Sequence, residues 1–194
     1  TQQHYFVIEE EVGKGLPLWM PNGTVIRDEL EKLAKEWEFL GGYQRVATPH
    51  ITKENLYHTS GHLPYYADSM FPPMEVDGEK LYLKPMNCPH HHMIYKAVPR
   101  SYRDLPVRFA EYGTCYRYEQ SGELAGLLRV RALTMNDAHI YCTPEQVKEE
   151  FIRVMRLHID YYKLFGLQDF WMRLSLAEED TTKFVDDPEV WPRA

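Results

Sequence analysis

A chain of 194 residues, of which 44% are hydrophobic and 13% aromatic, can fold around a core, and this excludes an intrinsically disordered protein. The formal net charge of −7 excludes a general basic surface for nucleic acid, so a polyanion must meet local arginines or parts absent from this chain. No run approaches 18 apolar residues and the first residues do not resemble a signal peptide, so neither a membrane span nor a secretory leader is expected.

The cysteines predict a reducing environment. Cys88, Cys115 and Cys142 are odd in number, widely spaced and without a Cys-x-x-Cys pair. This pattern argues against a disulfide framework and indicates a cytoplasmic location.

The first predicted element is a helix that begins near Thr24 and ends at the glycines of positions 41–42, because glycine readily adopts the left-handed conformation that closes a helix. Helical spacing predicts the face that packs inward, which consists of Ile26, Leu30, Leu33, Trp37 and Leu40. A strand over residues 43–48 follows and ends at Pro49, since proline cannot donate a hydrogen bond to a neighbouring strand.

The stretch 81–96, LYLKPMNCPHHHMIYK, places one cysteine beside three consecutive histidines. Asn87 and Pro89 predict the start of a helix that contains the histidines. Successive helical residues point about 100° apart, so the three histidines cannot all converge on one ion with Cys88. Cys88, at the rim of the helix, is the best placed of the four residues to face a cleft.

Two strands are predicted over residues 114–119 and 128–141. The two-residue repeat of a strand puts polar side chains on one face of this pair, namely Arg117, Glu119, Arg129, Arg131, Asp137 and His139. Such a face is either a polar site or a solvated surface with ion pairs, and the pattern leaves both open. His139 is a natural partner for Cys88 at a zinc site, but free cysteines and single histidines are more often core residues, and spacing alone does not decide.

The last predicted elements are a helix and a strand. A capping box at positions 143–146 predicts a helix that ends at Gly166, with His158 as a buried core residue on its apolar face. Alternation over residues 170–176 predicts a strand. The interspersed helices and strands predict a mixed α/β (α+β) fold, with an antiparallel sheet flanked by helices.

Three segments, residues 15–32, 81–96 and 101–142, together resemble the catalytic domain of bacterial threonyl-tRNA synthetases, which are class II aminoacyl-tRNA synthetases. The pieces MetAsnCysPro at 86–89 and AsnAspAlaHis at 136–139 are specific to the threonine enzyme. Residues 41–51 resemble the end of class II motif 1, and residues 117–119 resemble the start of motif 2. The resemblance therefore implies the antiparallel sheet of class II synthetases and a homodimer through residues 24–51.

The resemblance also implies an activity and its nucleotide site. The family activates L-threonine with ATP and Mg²⁺ to threonyl-adenylate, and then passes threonine to tRNA(Thr). In this sequence Arg117 would be the catalytic residue, because a guanidinium can hold the charge that builds on the α-phosphate. Glu119 would accept a hydrogen bond from adenine, and Arg129 would hold the far phosphates of a bent ATP. Leu133 would pack on adenine, where some members have phenylalanine.

The implied threonine site contains zinc. Cys88 and His139 correspond to two of the three zinc ligands of the family, and the third lies beyond this chain. In the family, zinc binds the amino and hydroxyl groups of threonine and so excludes valine, which lacks the hydroxyl group. Asp137 would accept the hydroxyl proton, Met86 would lie beside the amino group, and Met135 would line the pocket.

Several family parts have no counterpart in residues 1–194, namely motif 3, the third zinc ligand, and the editing and anticodon-binding domains. The chain is therefore expected to be a partial catalytic domain that alone binds zinc weakly and catalyses poorly. The alternatives are a non-catalytic synthetase-like module that binds an amino acid or a partner, or a class II enzyme for proline or serine. The sequence ThrSerGlyHis at 59–62 also matches the family, but is equally consistent with a polar turn.

Overall fold

The computed structural model describes residues 3–173 of the chain. The chain divides into two compact units, Thr1–Val147 and Lys148–Ala194. The helices of the described part are α1 (Pro21–Leu40), α2 (Glu54–Thr59), α3 (His62–Tyr65), α4 (Cys88–Ala97) and α5 (Val147–Leu164). Within residues 3–173, none of the helices has both the length and the apolar character that crossing a membrane requires.

The strands form three small sheets. They are β1 (Phe6–Val7), β2 (Leu18–Trp19), β3 (Gln44–Arg45), β4 (Ile51–Lys53), β5 (Met74–Val76), β6 (Glu79–Leu83), β7 (Val107–Tyr116) and β8 (Ala132–Tyr141). The sheet orders are β1-β2, β3-β7-β8 and β4-β6-β5, and only the β3–β7 pair is parallel among these strands. The predicted mixed α/β class with antiparallel pairing is confirmed.

The long hairpin of β7 and β8 forms the centre of the fold. Its register runs from Val107 opposite Tyr141 to Tyr116 opposite Ala132. Most residues of β7 are buried, because this strand lies between β3 and β8. The register also places a buried acidic residue, Glu111, opposite a residue of the predicted threonine site.

The predicted strand limits around the arginines are wrong. β7 ends at Tyr116 and β8 begins at Ala132, so Arg117, Glu119 and Arg129 lie outside both strands. The chain leaves the ladder because the backbone N–H of Tyr118 donates to the Ser69 carbonyl at 2.9 Å instead of to β8. Alternation in the sequence predicts which way side chains point, but it does not predict the hydrogen-bond partner of a backbone N–H.

The predicted inward face of α1 is only partly right, since Leu33 and Trp37 are partly buried but the other three residues are not. The helix ends as predicted, with Gly42 at φ +79°, but its buried residues are Gly23, Ala34 and Glu38. Of the predicted stripe, Ile26, Leu30 and Leu40 are exposed. Gly23 lies so close to the Tyr5 carbonyl that a side chain there would overlap the backbone, so the start of α1 requires glycine at this position.

The predicted helix start before α5 is confirmed, since the side chains of Thr143 and Gln146 form the capping box. His158 was predicted to be buried, but it is exposed and its Nδ1 lies 2.8 Å from the Val154 carbonyl oxygen of the same helix. Helical periodicity identifies residues that share a face without showing that the face is covered. Of the predicted strand over residues 170–176, residues 170–173 form no strand and the remainder lies outside the described residues.

Candidate functional site

The start of α4 is joined to the central hairpin by Asn87. This residue occupies the N-cap position, as predicted, but its side chain does not cap the helix. Its Nδ2 donates to Asp137 Oδ2 at 3.2 Å, and its Oδ1 accepts from Cys115 Sγ at 3.5 Å. A side chain at Gly113 would overlap the Asn87 amide, so this glycine is what allows the amide to lie against the sheet.

Three potential metal ligands meet between α4 and β8. Cys88 is the first residue of α4, while Asp137 and His139 share one face of β8. Their ligand atoms all lie within 4.8 Å of one another, and all three residues are partly buried. The structure therefore brings together two residues that are far apart in the sequence, Cys88 and His139, and adds Asp137. Thiolate, carboxylate and imidazole are all zinc ligands, so this donor group (Cys88, Asp137 and His139) fits zinc.

Burial shifts the pKa values of Cys88 and His139 in the donor group. Burial raises the pKa of the Cys88 thiol and the Asp137 carboxylate adds to this effect, while a backbone hydrogen bond and the Arg117 charge oppose it. Burial lowers the pKa of His139, although Asp137 acts in the opposite direction. The group therefore favours a thiol and a neutral imidazole, and a cation that binds there must displace the thiol proton.

A buried hydrogen-bond network lies behind His139. His139 Nδ1 is 2.8 Å from His91 Nδ1, and His91 Nε2 is 2.9 Å from Glu111 Oε2. Glu111 Oε1 accepts from the backbone N–H and the hydroxyl of Thr48, at 2.8 and 3.0 Å, and lies 3.5 Å from Lys84 Nζ. Burial acts to raise the pKa of Glu111, but the hydrogen bonds from His91 and Thr48 and the Lys84 charge outweigh it and lower the pKa. Glu111 is therefore a carboxylate at neutral pH.

The three consecutive histidines do not share one hydrogen-bond partner, although the rings of His91 and His92 both contact His139. His91 belongs to the buried network, and His92 Nδ1 is hydrogen-bonded to the Tyr141 hydroxyl at 2.8 Å. His90 is buried, and neither of its ring nitrogens has a hydrogen-bond partner among residues 3–173. Burial lowers the pKa of His90 to about 4, so this ring is neutral.

Arg117 lies at the edge of the donor group. Its Nε donates to the Pro85 carbonyl at 3.3 Å, and its second terminal nitrogen is 4.0 Å from Met135 Sδ. Met135 precedes Asp137 on the same face of β8. The guanidinium is therefore next to the predicted threonine site as well as to the cavity described below.

A cavity of about 340 Å³ contains all four residues that the resemblance assigns to ATP. It is lined by Arg117, Glu119, Leu127, Leu128, Arg129, Val130 and Leu133. Arg129 Nε donates to Glu119 Oε2 at 2.8 Å, and Arg129 is also 3.3 Å from a Glu123 oxygen. Two polar residues of this cavity are thus paired with each other.

Met86 contacts His62, which belongs to the segment 59–62 that the sequence left open as either a family match or a polar turn. Ser60 Oγ is 2.9 Å from His62 Nδ1, and His62 Nε2 is 3.3 Å from Met86 Sδ. Gly61, at φ +74°, forms the turn between them. His62 is buried and burial lowers its pKa, although a hydrogen bond with the Ser60 backbone acts in the opposite direction. The turn therefore directs a buried imidazole at the residue predicted to lie beside the threonine amino group.

Sequence reasoning missed the partners of the donor group. The network of Thr48, Lys84, Glu111 and His91 was not predicted, nor was the contact of Asn87 with Asp137. A usable signal was present, because Lys84 and Glu111 each lie next to strand residues and charged residues are rarely buried unpaired. That signal predicts that partners exist, but not which residues they are.

The family that matches is described as the tRNA synthetase class II core domain (G, H, P, S and T), and it matches residues 73–190, more than half of the chain. The chain belongs to this class II synthetase family. The matched residues 73–190 include both the donor group and the cavity with Arg117 and Arg129. The fold expected from the resemblance is confirmed.

The relatives are threonine enzymes. The threonine–tRNA ligase of Deinococcus radiodurans is 56% identical over 189 residues, which cover 97% of this chain and 29% of that protein. Threonine–tRNA ligase 1 of Bacillus subtilis is 53% identical over 190 residues, which cover 97% of this chain and 30% of that protein. The resemblance to threonyl-tRNA synthetases is confirmed, and the chain spans about 30% of the length of these ligases.

A solved structure agrees with the sequence relatives. The crystal structure described as the RNA-binding domain of threonyl-tRNA synthetase from Cryptosporidium parvum superposes with a TM-score of 0.80 and 37% identity. The match covers 83% of this chain and 40% of that chain. At 37% identity, this structural match supports the same family as the sequence relatives do.

Proposed function

We propose that the protein carrying this chain is a threonine–tRNA ligase, which joins L-threonine to ATP as threonyl-adenylate and then transfers threonine to tRNA(Thr). The observation that carries the proposal is the position of the donor group beside Arg117 and the cavity. A hydroxylated amino acid bound at the donor group would have its carboxylate near the guanidinium. Residues 1–194 would then be part of the catalytic domain, with motif 3 supplied from elsewhere in the protein.

Arg117 is the proposed catalytic residue. Attack of the threonine carboxylate on the α-phosphate builds negative charge on the phosphate oxygens, and a planar guanidinium can donate two parallel hydrogen bonds to them. In the structure, Arg117 Nε donates to the Pro85 carbonyl at 3.3 Å. This hydrogen bond is long and therefore weak, so a phosphate oxygen could replace the carbonyl as its acceptor. The same contact holds the guanidinium at the edge of the donor group before substrate arrives.

The cavity residues are proposed to hold the rest of the nucleotide. Glu119 would accept a hydrogen bond from the adenine amino group, while Leu133 packs on the base and Arg129 holds the far phosphates. The pairing of Arg129 with Glu119 supports a bent nucleotide, because base and far phosphates must then lie close together. Mg²⁺ is proposed to accompany the phosphates, as in other nucleotide chemistry.

The donor group is proposed to hold zinc through Cys88 and His139, with a third ligand from outside this chain. The chemistry that zinc supplies when bound is coordination of the threonine amino and hydroxyl groups. Asp137 is held by Asn87 through Oδ2, so its Oδ1 can accept the hydroxyl proton. Met86 and Met135 would contact the remaining atoms of the amino acid and exclude water.

A homodimer through residues 24–51 is also proposed. Large apolar residues exposed on α1 and on the following strand β4 support it, because a dimer interface could bury them. They include Ile26, Leu30, Phe39, Leu40 and Ile51. The cytoplasmic location expected from the cysteines also stays a prediction.

The test is ATP–pyrophosphate exchange by the full-length protein, with threonine, serine, valine and proline in parallel. We expect exchange with threonine, about 10- to 200-fold weaker exchange with serine, and valine rejected by about 10⁴ or more, because valine cannot replace the hydroxyl contacts. Arg117→Ala should lower threonine-dependent exchange by about 10²–10³-fold. Arg153→Ala, an exposed arginine of α5 paired with Glu149, is the matched control.

Three outcomes would contradict the proposal. Equal exchange in Arg117→Ala and the control would remove Arg117 from the reaction. Absence of exchange with all four amino acids would instead support the alternative of a non-catalytic synthetase-like module, and exchange with proline alone would indicate a different enzyme of the same class.

A further inference from the structure

His91 is fully buried between His139 and Glu111, and none of the expected substrates of this chain would contact it directly. One ring nitrogen faces each neighbour, at 2.8 Å to His139 Nδ1 and 2.9 Å to Glu111 Oε2. A buried imidazole with both nitrogens engaged has one orientation. The protonation of its nitrogens then follows from the groups on either side.

The hydrogen-bond directions can be assigned from Lys84 inwards. The Lys84 ammonium only donates, so the Thr48 hydroxyl, 2.7 Å away, accepts from it and passes its own proton towards Glu111. The Thr48 backbone N–H also donates to Glu111 Oε1. Glu111 therefore accepts from both the N–H and the hydroxyl of Thr48, as a carboxylate does. Because a carboxylate has no proton to donate, His91 Nε2 must donate to Glu111 Oε2.

The same reasoning continues to the donor group. In a neutral imidazole with its proton on Nε2, Nδ1 is an acceptor. The proton between the two Nδ1 atoms then belongs to His139, and this leaves the lone pair of His139 on Nε2. A histidine that binds a metal commonly donates its other N–H to a carboxylate or carbonyl, and here a second imidazole takes that place.

We propose that His91 is a positioning residue that, through its bond to Glu111, fixes His139 in the tautomer and ring orientation needed to bind a cation. The proposal rests on the proposed zinc site and extends it to four residues from separate parts of the chain, of which Lys84, His91 and Glu111 are buried. Thr48 follows β3, Lys84 follows β6, His91 is on α4 and Glu111 is on β7. The ligand His139 is therefore oriented by the assembled core, whereas Cys88 is oriented by the start of a helix.

The test measures zinc affinity of the full-length protein by competition with a chelator, with zinc itself as the probe and without reference to catalysis. His91→Phe retains a ring but removes both hydrogen bonds, and we expect it to weaken zinc binding by about 10- to 100-fold. His91→Gln retains an amide that can accept from His139 and donate to Glu111, so it should recover part of the loss. A role in packing alone would not distinguish the glutamine variant in this way.

The matched control is His92→Phe. His92 is the next residue on α4 and its ring contacts that of His139, but its hydrogen bond goes to Tyr141. Zinc affinity should be unchanged in this variant. Thermal melting of each metal-free variant shows whether a loss of affinity reflects a loss of fold, and we expect the zinc affinities of His91→Phe and His91→Gln to differ at similar melting temperatures.

The outcomes separate this inference from the proposed function. Zinc that binds the wild type, is lost in Cys88→Ser and binds equally or more tightly in His91→Phe would overturn the role of His91 alone. Equal weakening in His91→Phe and His91→Gln would likewise reduce His91 to a packing residue. A wild-type protein that binds no zinc would overturn the proposed zinc site and this inference together.

Discussion

Arg129 donates a 2.8 Å hydrogen bond to Glu119, although the two side chains are proposed to hold opposite ends of one nucleotide. Half of the Arg129 side chain is exposed, so water and salt screen this pair and ATP can replace it at little cost. The pair keeps both groups in position across the cavity. The Glu119 carboxylate also raises the pKa of Arg129.

Loss of Arg129 should therefore affect ATP more than threonine. In Arg129→Ala we expect the KM for ATP in pyrophosphate exchange to rise by roughly tenfold or more, because charged hydrogen bonds to the far phosphates are lost. The KM for threonine should stay within about twofold, since Arg129 lies outside the donor group. Steady-state exchange with ATP and threonine varied separately measures both, with Arg153→Ala as control. A larger change in the KM for threonine than in the KM for ATP would contradict the assignment of Arg129 to ATP.

Gly113 should be needed for the position of Asp137. The Cβ of Gly113→Ala would overlap the Asn87 amide, which donates to Asp137 Oδ2. We expect the variant to lose about 1–3 kcal/mol of unfolding free energy because the buried amide must move. Its KM for threonine should rise while that for ATP changes little.

The control for Gly113→Ala is Gly122→Ala, since a Cβ at Gly122 meets no atom within 4 Å and Gly122 does not have a positive φ. Urea unfolding and exchange kinetics compare the two variants. A Gly113→Ala protein with wild-type stability and wild-type KM for threonine would show that Asn87 does not determine the orientation of Asp137.

Glu111 should stabilise the protein only as a carboxylate. Its pKa is lowered from the ordinary value of 4.5 in the folded state, so its contribution is complete above about pH 4.5 and is lost as the pH falls through the lower folded value. Glu111→Gln removes the charge that balances buried Lys84, and we expect a loss of about 3 kcal/mol of unfolding free energy at pH 7.

The pH dependence provides the internal check. The difference between wild type and Glu111→Gln should be constant above about pH 5 and shrink as the pH falls below 4.5, measured by urea unfolding over that range. Glu79→Gln, which removes an exposed ion pair with Lys53, should cost less than about 1 kcal/mol at any pH. A stability difference that does not vary with pH would mean that the Glu111 charge is not its source.

The family resemblance predicted which residues meet at the site better than local patterns predicted the residues that hold them in place. It placed Cys88 and His139 together, and their ligand atoms do lie within 4.8 Å of one another. Zinc binding by these two residues stays a prediction. The helix start at Asn87 was predictable from residue type, but its contact with Asp137 depends on a glycine in another strand. Local patterns carry no information about such distant approaches.

The packing faces were the least predictable feature. Periodicity grouped Ile26, Leu30 and Leu40 on one side of α1, but these three residues are exposed, whereas Ala34, which follows Leu30 by one helical turn, is buried. A glycine that lies against a carbonyl allows closer packing than any apolar stripe, and such a contact is known only once the partner segment is placed. The network around His91 escaped prediction for the same reason, because its members come from four separate segments of the chain.

The most direct test of this account is the zinc content of the purified full-length protein, measured by elemental analysis for wild type, Cys88→Ser and Cys142→Ser. Cys142 is partly buried, like Cys88, but lies outside the donor group. We predict about one zinc per chain in the wild type and in Cys142→Ser, and none in Cys88→Ser. A metal-free wild type, or undiminished zinc in Cys88→Ser, would contradict the central claim that Cys88 and His139 bind one cation.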